Sequence, residues 1–250
     1  KGHAYASGDG SVYFKISSFP EYGKLSRLDT RELDLGKTQN TRANADEYEK
    51  DNISDFVLWK TRRDEDGENF WPSPWGEGRP GWHLECSAMA QGLLAPSEGE
   101  HAGQIDLHSG GEDNIFPHHE CEIAQSRAAS GAERFARYWF HTRHLVVEGE
   151  KMSKSKGNFF TVRDILAKGA TPAALRLELV RTHYRQNANF TLQGLRDCGR
   201  MIDRWCRLDE QLAAGRVVPG EGPGPLEAAL EGFTEAVSDD LHLARAIGVL

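Results

Sequence analysis

No apolar run in these 250 residues approaches the roughly 20 consecutive residues that a membrane-crossing helix needs. No signal-peptide pattern opens the chain, so a cytoplasmic address without a membrane partner is expected. Cysteine is scarce. The four present, Cys86, Cys121, Cys198 and Cys206, show neither a CxxC knuckle nor the paired spacing of a disulfide framework. Free thiols or single metal ligands are therefore favoured over bridges. A global excess of positive charge is also missing, since the formal balance is −8. Internal repeats and long low-complexity segments are absent.

What is present suits a globular chain of one large domain or two smaller ones, with 38% hydrophobic and 27% charged residues. The charge is unevenly spread. From Phe140 to Arg207, Lys and Arg outnumber Asp and Glu 13 to 6, whereas from Leu208 onward they are outnumbered 8 to 2. A basic middle between acidic flanks suits a polyanion touching one face, although composition alone favours a solvated helix face.

Val12 to Ile16 reads as strand and turn, and Leu25 to Asn52 as a polar insertion or surface-mounted segment. Phe56 to Trp59 resumes a core-like strand. From Trp82 helical and strand-like patterns alternate: helix to Leu94, strand over Gln104–His108 ending at Gly110-Gly111, helix over Pro117–Ala129, strand over Tyr138–Val147. Asp164 onward is helical, interrupted by the Gly- and Pro-rich run 219–225. The alternation predicts a parallel α/β sheet with ligands at the C-terminal ends of its strands.

Three constellations carry chemistry. His118 and Glu122 are four apart on a predicted helix, with Cys86 32 residues upstream on another. Thiolate, imidazole and carboxylate together suit zinc, yet a lone cysteine is commonly core and a His–Glu pair commonly a surface contact. His119, Glu120 and Cys121 are expected to point elsewhere on that helix. The loop from Glu150 to Asn158 carries Lys151, Lys154 and Lys156 among serines and a glycine, which suits closure on phosphates or simple exposure. At the end of the predicted strand, Gly110 and Gly111 allow close ligand approach to the backbone, and Asp113 can accept from hydroxyls.

KMSKS at 151–155, within VEGEKMSKSKGNFFTVRDIL, resembles the nucleotide signature of class I aminoacyl-tRNA synthetases, in the form of the cysteinyl members. GRPGWHLECSAMA at 78–90, HSGGEDNIFPHHECEIAQS at 108–126 and HYRQNANFT at 183–191 extend the resemblance over almost the entire chain. It implies the second half of a Rossmann-like nucleotide-binding domain followed by an α-helical tRNA-binding domain. The expected layout is 1–52 as part of a connecting insertion, 53–182 as the catalytic half with its KMSKS loop, and 183–250 as an incomplete helical tRNA-stem domain.

By the same resemblance Cys86, His118 and Glu122 are three of four zinc ligands, and the metal binds the thiolate of substrate L-cysteine. Trp82 and His108 line the amino-acid pocket, and Asp113 lies near the ATP ribose. Lys151, Met152, Ser153, Lys154 and Ser155 form the ATP-binding loop. Lys151 and Lys154 act on the α-phosphate and departing pyrophosphate, with Mg2+ accompanying the nucleotide. The implied activity is ATP-dependent ligation of cysteine to tRNA(Cys) by a monomer. The family's HIGH motif and its upstream cysteine ligand do not occur in these 250 residues, so the start is expected to lie inside the insertion. Cys121 stands where some members have Asn and is read as a free thiol. Two further readings are open. One is a ligase joining cysteine to an amino sugar in mycothiol synthesis, against which HYRQNANFT and the helical extension argue. The other is a truncated or degenerate synthetase homologue that binds zinc or tRNA without activity.

Overall fold

The computed structural model describes residues 1–28, 55–216 and 225–249. The polar stretch read over Leu25–Asn52 lies, from residue 29 on, outside the described residues, as does the linker read over 219–225 up to residue 224. The chain divides into two compact units, 1–141 and 142–250. No helix among the described residues is long and apolar enough to cross a membrane.

The first unit opens with strands β1 (Ala4–Ala6), β2 (Val12–Phe14), β3 (Phe56–Thr61) and β4 (Gly78–Pro80), in that order across one sheet. Every pairing in it is antiparallel, with Ala4 opposite Phe14, Phe14 opposite Phe56 and Trp59 opposite Pro80. The parallel arrangement expected from Trp82 onward does not extend to this earlier sheet. The link between β1 and β2 is too short for a crossover and can only form a hairpin. β2 is apolar at all three positions and buried at all three. Phe14 stacks on Phe56 at 4.9 Å between centroids, and both join Ile16, Phe19, Tyr22, Cys121 and Ala124 in the first core.

Gly81 then turns the chain into α1 (Trp82–Leu93), and a Cβ at that position would run into the Val57 carbonyl. β5 (Ile105–Gly111) pairs with β6 (Ala136–Thr142). Ile105, Phe135, Ala136 and Ala90 of α1 form a second cluster. Between β5 and the next helix the chain makes a tight turn at Glu112–Asn114 and a wide π-type turn at Ile115–His119. The regular helix α2 (Glu120–Ser130) therefore begins three residues later than the expected start at Pro117. The residue before a proline is pushed toward extended backbone, and Phe116 adopts it with φ −136 and ψ 134. Ile123 of α2 packs against both clusters and ties them together.

The second unit begins with β7 (Leu145–Val147) and β8 (Glu150–Lys151), a short antiparallel hairpin. The single strand expected over Tyr138–Val147 is thus two strands, with the Arg143 N–H between them donating to the Tyr184 carbonyl. Next come α3 (Val162–Ala167), α4 (Pro172–Val180), β9 (Ala188–Phe190), α5 (Leu192–Ala213), α6 (Pro225–Ser238) and α7 (Leu243–Val249). β9 is parallel to β7, with Val147 beside Phe190, as the long helical crossover between them allows. Thr161, Thr171 and Thr191 cap α3, α4 and α5 by accepting backbone N–H bonds. The core of this unit gathers Val147, Ile165, Leu175, Leu177, Phe190 and Leu195.

Phe14→Ala is expected to lower the stability of the chain by ~3–5 kcal/mol, the usual loss for emptying a packed aromatic site. It would be read as a fall in urea midpoint. Leu107→Ala, at a side chain 57% exposed, should leave the midpoint almost unchanged.

Candidate functional site

α1 and the turn leading into α2 bring Cys86, His118 and Glu122 together, their ligand atoms all within 4.8 Å of one another. Cys86 is half-buried on α1, His118 is buried at the end of the π-type turn, and Glu122 is wholly enclosed at 0% exposure. The His118 Nε2 atom faces Glu122, 3.7 Å from Oε2. Trp82, 58% exposed at the start of α1, lays its indole over the His118 ring at 4.1 Å between centroids.

The structure adds residues to this group. His108, in the middle of β5, puts Nε2 2.8 Å from Glu122 Oε2 and packs against Phe135 and Trp139. His119 does not point away as expected. Its ring is buried, Nδ1 lies 2.8 Å from His141 Nε2, and Nε2 lies 4.0 Å from Glu122 Oε2. Residues three apart share a helix face, so the spacing of 119 and 122 already held that signal. His108, His119 and Glu122 form a second group able to surround a cation. Glu120 and Cys121 do face elsewhere: Glu120 accepts from the N–H groups of Gly23 and Ser26, and Cys121 meets the Tyr22 hydroxyl at 3.3 Å.

Does this group fit a metal? Glu122 supplies the sharpest test. Its Oε2 is engaged by His108, whereas its buried Oε1 has no hydrogen-bond partner. An enclosed carboxylate is tolerated only when countercharge or donors compensate it. Three of the imidazoles near it, His83, His118 and His119, are pushed toward the neutral form. Burial, reinforced by His108, His141 and His118, pulls His119 down to about 3, and burial with His118 and Lys60 does the same for His83. His118 is lowered by burial, with the Glu122 charge opposing. Neutral imidazoles keep a lone pair for a metal. Burial, and then the negative charges of Glu122 and Glu85, raise the Cys86 thiol, so it becomes a ligand by giving up its proton to an incoming cation. Thiol, imidazole and carboxylate with an unpartnered oxygen fit zinc.

At both strand-end glycines an added side chain would meet a neighbouring residue. A Cβ on Gly110 would fall 2.9 Å from His119 Cε1, and one on Gly111 would collide with the Asp113 carboxylate. Asp113 is itself exposed on the tight turn after β5.

In the second unit, Lys151 closes the β7–β8 hairpin opposite Val146, and Met152 packs against the core. Asn158 staples the loop: its Oδ1 accepts from the Ser153 N–H at 2.8 Å and its Nδ2 donates to the Lys151 carbonyl at 3.2 Å. The Ser153 and Ser155 hydroxyls share a bond of 2.8 Å. Of the three lysines, Lys156 is engaged by Glu150 at 2.5 Å, and Lys154 lies 5.4 Å from the Phe159 ring centroid. Lys151 and Lys154 form no ion pair among the described residues, which leaves their charge for an anion.

Thiol labelling separates the four cysteines. Exposed Cys206 is expected to react first and half-buried Cys86 next. Cys121 and Cys198 should react only on unfolding, because burial raises both thiols, Cys198 to about 11. Excess Zn2+ should protect Cys86 without slowing Cys206, and an unprotected Cys86 would rule out the triad as a metal site.

Residues 1–199 match the model of the class I tRNA synthetase (C) catalytic domain. The whole chain is 48% identical to a cysteine-tRNA ligase of Brachyspira hyodysenteriae and 47% identical to one of Chlamydia muridarum, covering 51% of each. The chain thus spans about half the length of the curated relatives it matches. Among solved structures, the methionyl-tRNA synthetase of Mycobacterium tuberculosis with methionyl-adenylate superposes with a TM-score of 0.58 at 18% identity, covering 94% of this chain and 49% of that one. The LeuRS of Agrobacterium radiobacter K84, in a ternary complex with tRNA and LeuAMS, gives 0.53 at 18% identity, covering 74% of this chain and 29% of that one. These likenesses show a shared mixed α/β fold. Together with the family match over most of its length, they establish that the chain belongs to the class I tRNA synthetases, in the (C) catalytic-domain family.

Proposed function

We propose that this chain carries the cysteine-selecting and phosphate-binding parts of a cysteine-tRNA ligase, acting in the cytoplasm. The observation that carries the reading is the convergence of Cys86, His118 and Glu122, with Glu122 fully enclosed and its Oε1 unpartnered. Zinc held there by Cys86, His118 and Glu122 would supply a Lewis acid that prefers a thiolate to a neutral alcohol, so cysteine would be separated from serine by chemistry rather than size. Trp82 and His108 border the space where the amino acid would lie. Lys151 and Lys154 offer paired positive charge to the α-phosphate as the cysteine carboxylate attacks it and pyrophosphate leaves. Asp113, exposed at the strand end, accepts from the ribose hydroxyls of ATP. A tRNA hydroxyl then attacks the cysteinyl carbonyl, and AMP departs.

In this reading 1–52 belongs to a connecting insertion, 53–182 to the catalytic domain and 183–250 to a helical tRNA-stem domain. α5 supports the last assignment. Arg196, Arg200, Arg204 and Arg207 are exposed at four-, four- and three-residue spacing, which lines them along one face for ~16 Å. Such a ribbon suits the phosphates of tRNA(Cys).

Exchange of pyrophosphate into ATP by the protein carrying this chain is expected to require cysteine and to vanish with serine or after zinc chelation. Lys154→Ala should reduce the rate ~10²–10³-fold, the usual loss for one group aimed at developing charge, with zinc content unchanged. Exchange indifferent to the chelator would refute the metal-based selection. For tRNA, replacing Arg200 and Arg204 with Ala should lower the slope of log affinity against log salt by about 1–2. An unchanged slope would take α5 out of the interface.

A further inference from the structure

His83 follows Trp82 on α1 and is absent from both groups of residues able to hold a cation. Its Nδ1 lies 2.9 Å from Nδ1 of His118, while the other nitrogen of His118 faces Glu122. Two neutral imidazoles meeting nitrogen to nitrogen share a single hydrogen, so one donates and the other accepts. If His83 donates, the proton of His118 sits on Nε2, where it blocks the lone pair facing Cys86 and Glu122. If His118 donates, its Nε2 is bare and can ligate. Moving between the two arrangements leaves the pair neutral, because His83 gains a proton at Nε2 as His118 Nε2 gives one up.

We propose that His83 is a positioning residue for the metal site: by accepting at Nδ1 it selects the tautomer of His118 that can bind the cation. The inference rests on reading Cys86, His118 and Glu122 as that site. The surroundings hold His83 in place for the task. Its backbone carbonyl accepts from Gln125 Nε2 at 2.5 Å, and Gln125 also donates to Ser87 Oγ at 2.6 Å. Gln125 lies on α2, the helix that carries Glu122, so the ligand helix and the His83 helix are pinned to each other beside the site. The His83 ring stands edge-on to Phe56 at 5.8 Å, and the indole of Trp82 covers His118. Partners of this outer kind, which fix the ring and tautomer of a ligating histidine, commonly alter metal affinity 10–100-fold when removed.

The test is competition of this chain with a chromophoric chelator for Zn2+, using His83→Leu, His83→Asn and His83→Gln beside the wild type. Asn places its amide oxygen where Nδ1 stood and preserves the acceptor, whereas Gln places it near Nε2 and Leu offers none. Zinc affinity is expected to fall 10–100-fold in His83→Leu and His83→Gln and to recover in His83→Asn. Far-UV dichroism and the urea midpoint without metal should be alike in the two amide variants. If the leucine variant does not fold, the Asn-to-Gln comparison decides. His83→Asn binding no tighter than His83→Gln, or His83→Leu binding as tightly as wild type, overturns the tautomer role. A wild-type chain that binds no Zn2+ overturns the metal reading and this inference with it, whereas equal binding by all four proteins overturns the inference alone.

Discussion

The enclosed carboxylate of Glu122 is the constraint on which the first unit turns. A lone buried charge would weaken the fold by several kcal/mol, so its neighbours have to answer for it. Two other glutamates among the described residues, Glu120 and Glu178, are also buried and are compensated by donors of the protein itself. Glu120 accepts from the N–H groups of Gly23 and Ser26 and from the Ser26 hydroxyl. Glu178 takes the Arg181 guanidinium at 2.7 Å and the Cys198 thiol at 3.3 Å, joining α4 to α5. Both carboxylates are answered by donors on their own unit. Glu122 alone among these three keeps a buried oxygen without a protein partner, and it does so among imidazoles and a thiol rather than among arginines.

That arrangement separates two kinds of work on α2 and the turn before it. His118, His119, Glu122 and Gln125 face the cluster and α1, whereas Glu120 and Cys121 grip the segment around Tyr22 to Ser26. The second unit solves a simpler problem. Its loop at 151–158 is shaped by one asparagine and anchored by Met152, and the Glu150 contact removes one of three lysines from use.

Much of this was legible in the residues themselves. Helix α1 begins at Trp82 as its pattern indicated, and Cys86, His118 and Glu122 meet because α1 lies against α2 and the turn that leads into it. The strand from Phe56 and the strand ending at Gly111 also follow their patterns. What could not be read was long-range or backbone-determined. The strand at Ala188–Phe190, parallel to β7, lies inside a stretch read as helical and is set by its pairing partner rather than by its own pattern. The late start of α2 depends on Phe116 being extended before Pro117. Five of the ten histidines, at 83, 108, 118, 119 and 141, gather around Glu122 from α1, the turn before α2 and two strands. No local spacing links residues 35 or 22 positions apart.

Gly110 has a consequence beyond its own strand. The space its missing side chain leaves is filled by the imidazole of His119, which in turn touches His108, His118 and His141. A single methyl group there would act as a wedge driven from behind, shifting an inner ring of the cluster while leaving Cys86, His118 and Glu122 chemically intact. The tolerances of the site are thus set partly by an atom the chain does not have, at a residue that could never be a ligand.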